Sequence, residues 1–93
     1  MSSENTIEDW RVKIDAIDRQ ILELLSDRAR CVLGVGKIKG QKNMTVFDPK
    51  REQQIIESIL SNNKGPLDNS GLQRIFERVI EECRRIEVET HGG

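Results

Sequence analysis

From Ile14 onward, apolar residues recur at Ile17, Ile21, Leu24, Leu25, Val32 and Val35, the three- and four-residue steps of one helical stripe. The pattern opens near Thr6 to Asp9 (TIED), which reads as a capping box, with Ser3 as an equally good cap. It runs to about Lys39, before Gly40. Gly34 and Gly36 interrupt it, each at a cost of about 1 kcal/mol relative to alanine. Because the apolar phase continues through Val35 and Ile38, the spacing predicts one continuous helix with close packing at the glycines. A helix of roughly 33 residues is about 50 Å long. A compact chain of 93 residues has a radius of gyration near ~12 Å and a diameter of about 30 Å. The helix must therefore overhang its own fold, and an intertwined homodimer with paired long helices is the expected cover.

The core available to a single copy is lean. Only 35% of the residues are hydrophobic, a third are charged and three are aromatic, which is little for one small domain to bury. One domain over residues 1–93 is expected. A net charge of −1 gives no reason to expect nucleic acid or an anionic membrane as partner. No run approaches 18 apolar residues, and the N-terminal stretch is polar and acidic, so a cytoplasmic chain without a signal peptide is expected. Cys31 and Cys83 both fall in helical segments and are read as reduced thiols. With no CxxC and one histidine, His91, neither a metal nor a cofactor is expected.

Two further helices follow a polar connection from Gln41 to Phe47. Asp48-Pro49 supplies an N-cap and a proline at the first helical position, and the second helix runs to about Asn62 with Ile55, Ile56, Ile59 and Leu60 as its apolar face. Asn63-Lys64-Gly65-Pro66 stops it. Asp68 caps the third helix, with Leu67 and Leu72 placed as a hydrophobic staple. Its stripe is Leu72, Ile75, Phe76, Val79, Ile80, Cys83 and Ile86. No strand pattern appears, so the fold class is all-α: three helices, the first very long.

Charges intrude on these inward faces. Arg28 falls on the first stripe, seven residues after Ile21. Lys39 follows eleven residues later, within about 20° of Arg28 and roughly 16 Å further along the axis. Arg11 lies three residues ahead of Ile14, and on the third helix Glu87 lies seven residues after Ile80. Buried charges are costly unless paired, so these cations need anions, supplied by the chain or by a ligand. The plainer readings are local. Arg28 and Lys39 could pair with Glu23 or Asp18 across a helix interface, and Arg51 with acids near Glu52. Asp48 could be only a cap, Cys83 a small core residue, and Glu87 a solvated helix end. Arg84-Arg85 reads as a charged outer face, and Trp10 as an anchor at the dimer or the helix end.

Taken together and in order, four segments carry a resemblance. They are RxxI-DxxDxxIxxLLxxR (Arg11 to Arg28), VGKIK (Val35 to Lys39), DPKRE (Asp48 to Glu52) and IFxxVIEECRRIE (Ile75 to Glu87). Over nearly its whole length the chain resembles the all-helical class of chorismate mutases, of the monofunctional bacterial or archaeal type. The resemblance implies an isomerase of aromatic amino-acid biosynthesis, in the shikimate pathway, that converts chorismate to prephenate by an intramolecular [3,3] shift. Such a reaction needs no nucleophile, metal or proton transfer. It needs a reactive conformer held in place and negative charge stabilised on the breaking ether oxygen.

By the same resemblance, Arg28 and Arg11 grip the two substrate carboxylates, with Arg11 arriving from the other protomer; guanidinium matches a carboxylate bidentately. Lys39 donates to the ether oxygen and a carboxylate. Asp48 (through its backbone) and Glu52 hold the ring hydroxyl, with Arg51 supporting that corner. Cys83 stands where serine is frequent, and a thiol is a weak donor. Glu87 stands where glutamine or glutamate faces the ether oxygen. A glutamate donates there only when protonated, so catalysis is expected to weaken as pH rises. Two rival readings are pyruvate elimination from isochorismate on the same scaffold and a non-catalytic helical dimerisation module. The chain has no room for a fused dehydratase or dehydrogenase, so a free-standing enzyme, or one meeting its pathway neighbours non-covalently, is expected.

Overall fold

In the computed structural model, which describes residues 6–92, the chain forms three α-helices: α1 (Ile7–Gln41), α2 (Pro49–Ser61) and α3 (Asn69–His91). Among the described residues there is no strand. Each helix opens on the cap its sequence supplies. The Thr6 hydroxyl accepts from the Asp9 N–H at 3.0 Å, Asp48 from Arg51 N–H at 3.1 Å, and Asp68 from Gly71 N–H at 2.8 Å. Such caps satisfy amides that have no partner within the helix. The alternative cap, Ser3, lies outside the described residues.

α1 is continuous through both internal glycines, and its 35 residues span about 52 Å. It stops later than Gly40, and by another device. Asn43 takes a left-handed conformation at φ 56, with Met44 N–H donating to Lys39 C=O at 2.8 Å and Asn43 N–H to Gly40 C=O at 3.3 Å. This is a Schellman closure with asparagine in place of glycine. Only one of the two glycines is tightly packed. A Cβ on Gly36 would lie 2.7 Å from Glu87 Cγ and 2.8 Å from His91 Cδ2, whereas nothing lies within 4 Å of one on Gly34.

α3 is the middle element, packed against both other helices. Leu25 and Ala29 share a groove with Ile75 and Val79, and further along Gly36 meets Glu87, so α1 and α3 run in the same direction. Asn63 organises the turn between α2 and α3. Its amide donates to Leu67 C=O and the Asn69 side chain, and its carbonyl accepts from Gly65 N–H, with Gly65 at φ 76. Among the described residues, Val46, Ile80, Cys83 and Glu87 are the buried side chains. The remainder of α1 has no cover among the described residues. Ile14, Ile17 and Ile21 are each about half exposed and Leu24 is 67% exposed. The molecule measures 59 × 24 × 15 Å with a radius of gyration of 17.0 Å, far above the roughly 12 Å of a compact chain this size. The stripe anticipated as buried is thus at most part-buried within the described residues, with Val32 intermediate and Val35 still 50% exposed where α3 reaches it.

Candidate active site

A cavity of about 270 Å³ opens where the C-terminal half of α1, the start of α2 and the second half of α3 converge. Arg28, Lys39, Asp48, Arg51, Glu52, Cys83 and Glu87 all line it, with Cys31, Val32, Val35, Val46, Ile55 and Ile80 as its less polar wall. Three separate segments therefore deliver to one place the residues singled out from sequence. Arg11 is exposed on α1, about 25 Å along the helix axis from Arg28, and does not reach this cavity within its own chain.

The helix ends explain much of the geometry. Lys39 sits in the last turn of α1, and its Nζ donates to Val46 C=O at 2.9 Å, tying the connecting loop down over the helix end. The same Nζ lies 3.8 Å from Glu87 Oε2, both side chains being largely buried. Glu87 itself is 5% exposed, and its Oε2 has no hydrogen-bond partner among the described residues. A buried carboxylate oxygen without a bond is costly, so its place is held by the packing around it. Gly36 leaves room for the Glu87 side chain, and His91, one turn on, makes a 2.9 Å contact from Nε2 to Leu33 C=O, which seats the end of α3 on α1. Arg28 is half-buried in the cavity wall, and among the described residues it has no ionic partner. Among the described residues neither cation pairs with Glu23 or Asp18; Lys39 lies 3.8 Å from Glu87.

One reading of the sequence is overturned. Arg84 does not belong to an outer face. It lines the cavity, its Nη1 donates to both Glu52 oxygens at 2.9 Å, and its guanidinium stacks 4.9 Å from the Phe47 ring. The signal was present in the spacing, since Arg84 falls four residues after Ile80 and three before Glu87, both of them inward. His91 likewise lies one helical turn beyond Glu87. Arg85 does face outward, where it bonds Glu82 and Glu89. Its hydrogen bond to Glu82 holds that carboxyl below the usual range. Trp10 is half exposed, with Lys13 Nζ 4.7 Å from its ring centre. Both cysteines are unbridged, Cys31 exposed and Cys83 buried. No described helix is long and apolar enough to cross a membrane.

The cavity can do a restricted chemistry. Four cationic and three acidic side chains line it, with no Ser-His or Cys-His arrangement among them, so it suits binding and charge stabilisation of a small anion. Comparison with known proteins points the same way. The family model for chorismate mutase type II matches residues 10–88. The chain is 36% identical over 92 residues to the bifunctional chorismate mutase/prephenate dehydratase of Pseudomonas aeruginosa, covering 94% of this chain and 25% of that protein. It is 39% identical over 77 residues to the protein of the same description from Neisseria gonorrhoeae, covering 83% of this chain and 21% of that one. The chain thus spans about a quarter of the length of these curated relatives. Among solved structures, Form II of chorismate mutase from Thermus thermophilus superposes with a TM-score of 0.89 at 27% identity, over 91% of this chain and 97% of that one. With the family model spanning all three helices and the fold shared with that enzyme, the chain belongs to the chorismate mutase type II family.

Proposed function

We propose that the chain is a chorismate mutase, an isomerase that converts chorismate to prephenate, and that it works as a homodimer. The observation that carries this reading is the convergence of Arg28, Lys39, Asp48, Arg51, Glu52, Cys83 and Glu87 on one cavity. The substrate is a dianion whose enolpyruvyl side chain must fold over its ring. Arg28 takes one carboxylate with its planar fork. Lys39, already fixed by Val46 C=O, donates to the ether oxygen as negative charge grows there, a contact that strengthens in the transition state. Glu87, beside Lys39, faces the same oxygen. The Asp48 backbone and the Glu52 carboxylate hold the ring hydroxyl, which donates to Glu52; Arg51 supports that corner, and the Cys83 thiol borders the carboxylate end.

Arg11 completes the site from a second copy. Its distance from the cavity of its own chain, and the uncovered apolar stripe of α1, both support a partner whose own α1 lies alongside. The two sites of such a dimer each draw on one chain for the cavity and on the other for Arg11. No step requires a metal or a cofactor, and the whole chain serves as one catalytic domain placed in the cytoplasm.

Purified protein should remove the absorbance of chorismate and yield prephenate as sole product. Chorismate left unchanged would end the proposal. Pyruvate released from isochorismate, with chorismate untouched, would move the chain to the lyase activity instead.

A further inference from the structure

Arg84 is the one cation lining the cavity that the reading above leaves without a task. It comes from α3, yet both groups it holds belong to the segment entering α2: the Phe47 ring at 4.9 Å and the Glu52 carboxylate at 2.9 Å. The Arg84 and Glu52 side chains are only 31% and 26% exposed, so the pair is shielded from the screening that makes surface ion pairs weak. It also crosses between elements, which the i, i+3 and i, i+4 pairs of the outer face do not.

The consequence concerns charge as well as orientation. Glu52 faces the same small space as a guest with two negative charges. A carboxylate left without a cation there would repel that guest, or would turn toward Arg51, its neighbour in sequence. Held at both oxygens, its lone pairs stay available for a hydroxyl while its charge is offset. The aromatic face of Phe47 restricts the guanidinium from one side and so keeps the holder itself in place.

We propose that Arg84 is a positioning residue of this site: clamped by Phe47, it orients and neutralises Glu52 so that this carboxylate accepts from the substrate hydroxyl. The inference rests on the chorismate mutase reading. Arg84 acts on binding, through Glu52, and not on the breaking bond.

The test is steady-state kinetics with chorismate on wild type, Arg84→Met, Arg84→Lys, Glu52→Gln and the double variant. Helicity and dimer mass are measured for each. Arg84→Met should raise KM about ten-fold, the scale of one lost charge-assisted bond, with kcat within about three-fold of wild type. Arg84→Lys, which keeps the charge and loses the fork, should recover most of that KM. In the Glu52→Gln background, Arg84→Met should add nothing further to KM. A folded Arg84→Met protein with wild-type KM overturns the role, and so does an equal KM increase with and without Glu52. Wild-type protein inert toward chorismate overturns the reading of the site and this role with it, whereas wild-type turnover with either of the preceding results overturns the role alone.

Discussion

Gly36→Ala separates packing from propensity at one atom. In a helix interior the added methyl should stabilise by about 1 kcal/mol. At this position the new Cβ would meet Glu87 Cγ at 2.7 Å and His91 Cδ2 at 2.8 Å, against 3.4 Å or more for ordinary contact. Glu87 must then retreat by about 0.7 Å, or α1 and α3 must part by a similar amount. Overpacking of this kind costs about 1–3 kcal/mol, so net stability should fall by about 0–2 kcal/mol after the gain in helix propensity. The larger effect falls on turnover. A displacement approaching 1 Å of a group aimed at the reacting oxygen costs up to about 100-fold, so kcat should drop by about 10- to 100-fold. Gly34→Ala is the control. Its Cβ meets nothing within 4 Å, so it should gain the full ~1 kcal/mol and keep wild-type kcat. Urea denaturation and chorismate disappearance measure both quantities on both variants. If Gly36→Ala matched Gly34→Ala in stability and rate, the close approach of α1 and α3 would have no part in placing Glu87.

Lys39→Ala should lower kcat by about 10²–10³-fold, the scale for one donor at a developing oxyanion, while thermal unfolding shows a folded protein; near-normal turnover would remove Lys39 from catalysis. Glu87→Gln puts an amide donor toward the same oxygen and should keep or raise kcat, whereas Glu87→Ala should lower it by about 10²-fold; wild-type kcat in Glu87→Ala would deny Glu87 its role. Arg11→Ala and Arg28→Ala proteins should each be nearly inactive alone. Unfolded together and refolded as mixed dimers, they should recover about a quarter of wild-type activity, because half the dimers then hold one intact site; no recovery would place Arg11 outside its partner's site. Arg85→Ala should return the Glu82 carboxyl toward its ordinary range, followed by NMR titration, with little change in folding because the pair lies at the surface, open to solvent screening.

The long first helix was legible because its apolar phase survives two glycines, and periodicity outweighs the small cost of each. All three caps were legible for the same local reason: Thr6, Asp48 and Asp68 need only their own next turn. The expected end of α1, near Lys39, falls two residues short of Gln41, since Gly40 resembles a stop, yet the left-handed position fell on Asn43. Arg28, Lys39 and Glu87 were visible as charges on apolar stripes. Arg84 has the same inward spacing, but it sits beside Arg85 in a charged run, and a run of that kind reads as solvated. Its partner Glu52 lies 32 residues away, and no local pattern reports a pairing at that distance. The double role of Gly36, holding Glu87 in the cavity and admitting His91, is likewise a property of two helices meeting.

The bare apolar rail along the first half of α1 also bears on how the protein behaves in a test tube. A helix this long keeps its shape in water only while something covers that rail, so the melting temperature should climb as protein is added. Activity should then fall faster than in proportion on dilution, since in the proposed dimer separated chains would lose both their cover and the borrowed guanidinium. Specific activity measured at nanomolar enzyme would report the assembly equilibrium as much as the chemistry.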